Sequence, residues 1–228
     1  FNEKLAFYSV SFGDGGAEVA VTGGFYGDEH NGMYVCHKLI QFLRQAQAGK
    51  DGWKLAGRVR ILPALNPLGT LTDRRFWPFD QVDVNRCFPG QPAAGEAGAA
   101  HVWAGALFDH LKSFDLVFDV HSSNLFLREC PQIRVLNRFR SAADAFAEDA
   151  NVDVVWVHDA PTVIETTLSY NLNAAGVPTL VVEMGVGLRI QRDFVDIVFT
   201  GIVSILQKLE ILAGALRSPI LKKPIYAT

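Results

Sequence analysis

Cysteine is scarce in this 228-residue chain. Cys36, Cys87 and Cys130 are odd in number and include no C-x-x-C pair, which excludes a disulfide framework or a thiolate metal cluster as the organising device. They read as reduced thiols of a cytoplasmic protein, with Cys36 as core filling on a helix. Basic charge is not in excess either. The 21 Lys and Arg against 24 Asp and Glu leave a formal net charge of −3. With no basic run or aromatic-basic stripe, a nucleic-acid partner is set aside. No secretory leader is visible, and no apolar run is long and unbroken enough to span a membrane. The most apolar stretch, Phe194 to Leu216, is interrupted by Asp196, Gln207, Lys208 and Glu210 and reads as a buried helix.

What is present is an ordinary globular composition in a chain long enough for one full core. Strand-length apolar runs alternate with helix-length segments, the pattern of an α/β sheet. Strands are expected at Ala6–Phe12, Ala17–Thr22, Arg58–Pro63, Leu116–Val120, Ile133–Leu136, Val152–Val157 and Thr179–Val182. Helices are expected at Gly32–Gln47, Ala99–Leu111, Ala142–Glu148, Leu168–Ala175 and Phe194–Leu216. One domain is assigned to residues 1–217. Residues 218–228, opening on Ser218-Pro219 and passing Pro224, read as a tail or linker. Both ends look like cuts from a longer protein. Neither repeats nor low-complexity tracts appear, and Pro92–Ala100 reads as a flexible turn leading into a helix.

The interval from Asn66 to Gly98 has little periodicity and is rich in Pro, Gly, Arg and Asp, as functional loops often are. In open α/β sheets ligands bind at the carboxyl ends of strands. Three expected strands end in groups suited to metal-assisted hydrolysis. One runs into GGFYGDEHNG with Asp28, Glu29 and His30, another ends at His121 after Asp119, and a third delivers Glu183. The long loop adds Arg74, Arg75, Asn85 and Arg86. Each has a plainer explanation. Glu29 alone suits the positive end of the following helix, and a lone histidine is more often a satisfied polar residue than a ligand. Arg74 and Arg75 suit a surface, and the Asp83–Arg86 stretch suits a turn. Glu183 is harder to dismiss, because a carboxylate closing an apolar strand is costly without a partner or a role. Ser122 and Ser123 beside His121 do not make a triad, and no G-x-S-x-G elbow exists. His37, His101 and His110 read as solvated or half-buried, and His158-Asp159 matches no motif.

These segments resemble the succinylglutamate desuccinylase/aspartoacylase family of the zinc carboxypeptidase superfamily, over about Ala17 to Gly187. GGFYGDEHNG is similar to the family's G-x-H-G-x-E-x-x-G. NPLG at Asn66–Gly69, Arg75-Phe76, DVNRCFPG at Asp83–Gly90, DVHSS at Asp119–Ser123 and VPTLVVEMG at Val177–Gly185 follow in the family's order. The resemblance implies a mixed, mostly parallel sheet with helices on both faces. It also implies one Zn2+ per chain and hydrolysis of a small anionic amide, an N-acyl amino acid or related compound. Glu29 and His121 would be metal ligands, with Asp119 supporting the site. Glu183 would be the general base acting on zinc-bound water. Arg75 would polarise the scissile carbonyl, and Asn85 and Arg86 would hold a substrate carboxylate. Relatives often carry a small β-rich C-terminal domain, and the oligomeric state is open.

The family's first metal ligand is histidine, and here that position is Tyr26. A phenol, with an ordinary pKa near 10, binds zinc only as phenolate. Three readings stand: Tyr26 ligates weakly; His30 replaces it, although its place beside Glu29 aims it elsewhere; or the domain holds no metal and only binds a small carboxylate.

Overall fold

The computed structural model describes residues 5–90, 98–159, 162–214 and 221–228. Its strands are β1 (Val10–Phe12), β2 (Glu18–Thr22), β3 (Lys54–Leu55), β4 (Arg58–Leu62), β5 (Leu116–Ser122), β6 (Glu129–Leu136), β7 (Val154–His158), β8 (Thr179–Gly185), β9 (Leu212–Ala213) and β10 (Ile225–Ala227). Its α-helices are α1 (His30–Gln47), α2 (Pro67–Thr72), α3 (Ala99–Leu111), α4 (Arg140–Asp144), α5 (Leu168–Ala174) and α6 (Arg192–Lys208). Among the described residues, eight strands form one sheet in the order β1-β4-β2-β5-β8-β6-β7-β10, and β3 pairs with β9. Every neighbouring pair in the large sheet is parallel except β1–β4 and β6–β8. The fold is the expected mixed, mostly parallel α/β sheet. No helix among the described residues is long and apolar enough to cross a membrane.

Strand alternation divides the core in two. Val19, Val21, Leu116, Phe118, Val120, Leu180 and Val182 meet α1 and α6 on one face, with Leu39, Leu43, Val198 and Ile202 as the helical partners. Ala20 and Val117 turn to the other face, against Trp103 and Leu107 of α3 and Leu168 and Leu172 of α5. Cys36 is fully buried in the first core, and all three cysteines are free thiols.

Several expected elements differ in extent. The first strand is confined to Val10–Phe12. The fourth helix covers Arg140–Asp144 rather than Ala142–Glu148. The last helix stops at Lys208, because Glu210 takes a left-handed φ of 58° and the apolar run continues as β9. Within the loop after β4, Asn66 Oδ1 accepts the Gly69 amide at 2.8 Å and starts the short helix α2. Trp77, Val84, Cys87 and Phe88 from the same loop are buried. Residues 92–97 of the expected turn lie outside the described residues. Ile225–Ala227, in the stretch read as a tail, add a strand beside β7.

The approach of α1 to the sheet depends on Gly32. A Cβ there would sit 2.2 Å from the Val120 carbonyl oxygen, a backbone atom that cannot swing aside. Gly32→Ala is expected to destabilise the fold by roughly 1–3 kcal/mol, the usual cost of overpacking. Urea denaturation measures it, and an unchanged midpoint would show that α1 has room to move.

Candidate active site

Strands β2, β5 and β8 run parallel, so their carboxyl ends open on one edge of the sheet. His121 on β5 and Glu183 on β8 are register partners. Alternation puts Asp119, His121, Val181 and Glu183 on the face opposite the α1 core, at the wall of a cavity of about 570 Å³. That cavity is also lined by Tyr26, Glu29, Arg75, Asn85 and Arg86, so all seven expected site residues reach one pocket.

Glu29 sits just before α1, yet its side chain does not cap the helix. Its Oε2 lies 2.9 Å from His121 Nδ1 and accepts the Ser122 amide at 3.0 Å. The other ring nitrogen, Nε2, is 3.1 Å from Asp119 Oδ2. Thr22 Oγ1 donates to Asp119 Oδ1 at 3.1 Å, which fixes that carboxylate in turn. Burial works against charge on His121, but Asp119 and Glu29 outweigh it and hold the ring's pKa well above the usual imidazole value. Burial pushes Glu29 up, with His121 drawing it back. His121 is satisfied at both ring nitrogens, and the Glu29 carboxylate turns to His121 and Ser122 rather than to the helix amides.

Glu183 is perturbed in the same direction as Glu29. Burial raises its pKa from 4.5 to about 8, against the pull of His121 and Arg134 and with Glu29 adding repulsion. Its Oε1 is 3.4 Å from Arg134 Nη1, and its buried Oε2 has no hydrogen-bond partner. Arg75 Nη2 donates to Asp83 Oδ2 at 3.0 Å, and its guanidinium lies 3.7 Å from the Tyr26 ring centroid. Asn85 Oδ1 accepts the Leu168 amide at 2.9 Å and so anchors the start of α5. Arg86 has no ion pair among the described residues; its Nη1 donates to the Asn85 carbonyl at 2.8 Å. Of the three guanidinium groups lining the pocket, it is the one without an ion pair among the described residues.

Tyr26 is buried, and its hydroxyl donates to Asp83 Oδ2 at 3.4 Å. Burial drives its pKa far above the ordinary phenol value, so the group stays protonated. His30 turns away to Asp73, Nε2 to Oδ1 3.0 Å, as its position beside Glu29 implies. Among the described residues no group of three or more His, Cys, Asp or Glu is arranged to hold a metal. Glu29 Oε2 and His121 Nδ1 are the two groups that would hold a divalent cation here. Asp119 holds Nε2 in the outer-shell manner of metal-ligating histidines, and a cation at Nδ1 would displace the proton that lies between Nδ1 and Glu29. The cavity lining carries five carboxylates (Glu29, Asp119, Glu129, Asp159 and Glu183) against the guanidinium groups of Arg75, Arg86 and Arg134. With His121 charged and Glu183 protonated near neutral pH, the lining is close to charge-balanced.

Several participants were not found from the sequence. Arg134 lies inside an apolar strand, a signal available in QIRVL, but its partners come from strands distant in the chain. Asn31 donates to Ser122 Oγ at 3.1 Å and to Gln191 Oε1 at 2.7 Å, locking the start of α1 to the end of β5 and the loop after β8. His158 and Asp159 line the outer pocket although they match no motif.

A mixed α/β domain with carboxylates, an imidazole and arginines converging at parallel strand ends is the class that fold and site define. The model of the succinylglutamate desuccinylase/aspartoacylase catalytic domain matches residues 15–209, and the chain belongs to that family. It is 36% identical over 77 residues to the N-alpha-acetyl-L-2,4-diaminobutyric acid deacetylase of Halomonas elongata, covering 34% of this chain and 20% of that protein. A succinylglutamate desuccinylase/aspartoacylase from Rhodobacter sphaeroides shares the fold with a TM-score of 0.78 at 24% identity, over 97% of this chain and 65% of that one. The product-bound ectoine utilization protein EutE (DoeB) of Ruegeria pomeroyi gives a TM-score of 0.75 at 22% identity, over 92% and 62%. The chain thus spans less than two thirds of the length of these relatives.

Proposed function

We propose that this chain is the core of a zinc-dependent deacylase that hydrolyses the amide bond of a small carboxylated N-acyl amino acid or related amide. The observation that carries this reading is Glu183, a part-buried carboxylate whose buried Oε2 has no partner among the described residues, beside the Glu29–His121 pair. Glu29 and His121 Nδ1 would hold the cation, which supplies Lewis acidity and an acidified water. Glu183, at about 8 without a cation and lowered by a cation's charge, would take a proton and return it to the leaving amine. The Arg75 guanidinium, fixed by Asp83 and the Tyr26 ring, offers donors to the oxygen on which negative charge develops. Arg86 presents a planar fork suited to a carboxylate. Its neighbour Asn85 also lines the pocket, with its side-chain oxygen committed to α5. Free cysteines suit a reducing, cytoplasmic setting.

Purified protein supplied with zinc is expected to hydrolyse members of a panel of N-acyl amino acids. Arg86→Met should raise KM about tenfold or more while changing kcat less, because it removes binding shared by ground and transition states. Absence of turnover on every amide, with zinc present in solution and none retained by the protein, would favour the second reading, a metal-poor domain that binds a small carboxylate. The buried, protonated Tyr26 is the observation that keeps this second reading in play.

A further inference from the structure

Beyond Glu183, the same pocket contains two more unsatisfied polar atoms. β6 runs antiparallel to β8, so its first residue, Glu129, arrives at the site edge opposite Gly185. Alternation places Arg134 on the pocket face, because Ile133 and Val135 pack into the α1 core. Arg134 Nη2 meets Glu129 Oε1 at 2.5 Å and its Nη1 reaches Glu183. Glu129 Oε2 and Arg134 Nε are both buried and lack partners. Few buried polar atoms in folded proteins go unsatisfied, and here an unmet acceptor and an unmet donor lie on two residues joined by an ion pair. Trp156 is the register partner of Arg134 on β7, and its ring centroid is 5.1 Å from the guanidinium. It is 38% exposed and forms an apolar wall of the cavity. A cavity of about 570 Å³ is in the range that encloses drug-sized ligands, more than an acetyl group requires.

We propose that Glu129, Arg134 and Trp156 form a second subsite that takes a zwitterionic amino-acid head. The substrate's ammonium donates to Glu129 Oε2, a carboxylate or carbonyl oxygen accepts from Arg134 Nε, and the intervening chain lies along Trp156. This deepens the deacylase reading and rests on it for the location of the scissile amide. The substrate class becomes an amide with an ammonium-bearing head, distinct from a simple acyl amino acid.

A matched pair of compounds tests it by isothermal titration calorimetry on the zinc-supplied protein. γ-Glutamylglycine carries the α-ammonium, and glutarylglycine is the same molecule with hydrogen in its place. The expected result is at least tenfold tighter binding of γ-glutamylglycine, with the ratio falling toward one in Glu129→Gln. Equal affinities in the unaltered protein would overturn the subsite without relying on any variant. So would a Glu129→Gln protein that retains the full preference. Hydrolysis of N-acyl amino acids without any preference sinks the subsite and leaves the deacylase reading intact. A clear preference with no hydrolysis of any amide does the opposite.

Discussion

Glu183→Gln is expected to lower turnover by roughly 10²–10⁴-fold, the usual contribution of a positioned general base, while making the metal-free protein more stable at pH 8. The opposite signs follow from one cause. Burial lifts the Glu183 pKa from 4.5 to about 8, so the folded chain retains a proton that the unfolded chain releases. Between those values the folded state binds more protons, and stability falls as pH rises. Below about pH 4.5 both states are protonated and the penalty is absent. Glutamine keeps the shape and removes the ionisation, so the slope flattens and the variant gains on the order of a few kcal/mol at pH 8. Urea denaturation of chelator-treated protein at pH 5 and pH 8 measures this. Parallel pH slopes in the two proteins would mean Glu183 is solvated or paired more fully than its unpartnered Oε2 indicates.

Tyr26→His is the second large effect, expected to tighten zinc binding by about a hundredfold or more. Outer-shell partners alone are worth 10–100-fold in metal affinity, and this change adds a direct donor where the present side chain offers a protonated hydroxyl. Imidazole is smaller than phenol, so the buried position accommodates it without overpacking. The substitution also removes the 3.4 Å contact with the tyrosine hydroxyl and leaves Asp83 Oδ2 to Arg75. Competition with a chromophoric chelator reads the affinity, and a rise in kcat should accompany it. If neither changes, the Glu29–His121 pair is not a cation site, and the pocket is one for organic ligands alone.

The site was legible where chemistry lies on strand ends, and less so where it depends on pairing. His121 and Glu183 close apolar runs, a local signal, and their cross-strand register then follows from parallel strands in one sheet. Arg134 carries a comparable local signal, but its meaning depends on Glu129 turning back through an antiparallel neighbour and on Trp156 from β7. Sequence order does not specify such pairings. Asp83 likewise reads as turn chemistry, and the hydrogen bond its Oδ1 accepts from the Asn85 backbone amide fits that, yet it also holds Arg75 and Tyr26. Helix limits failed where backbone reversals intervened. The apolar pattern runs past Lys208 without a break, and only the left-handed turn at Glu210 separates helix from strand.

The reversed direction of β6 has an evolutionary consequence. β5 and β8 present their carboxyl ends to the pocket, whereas β6, paired beside β8, presents its beginning, so the segment feeding it, residues 123–128, borders the entrance. That segment displays Leu125, Phe126 and Leu127 largely to solvent, while Asn124 and Leu127 line the cavity. Insertions or exchanges there can alter which molecules enter without changing the register between His121 and Glu183. A single-residue deletion within β5 would instead turn every following side chain to the opposite face. Selection for new substrates therefore has a permissive route through the entrance segment, and a nearly closed one through the strands.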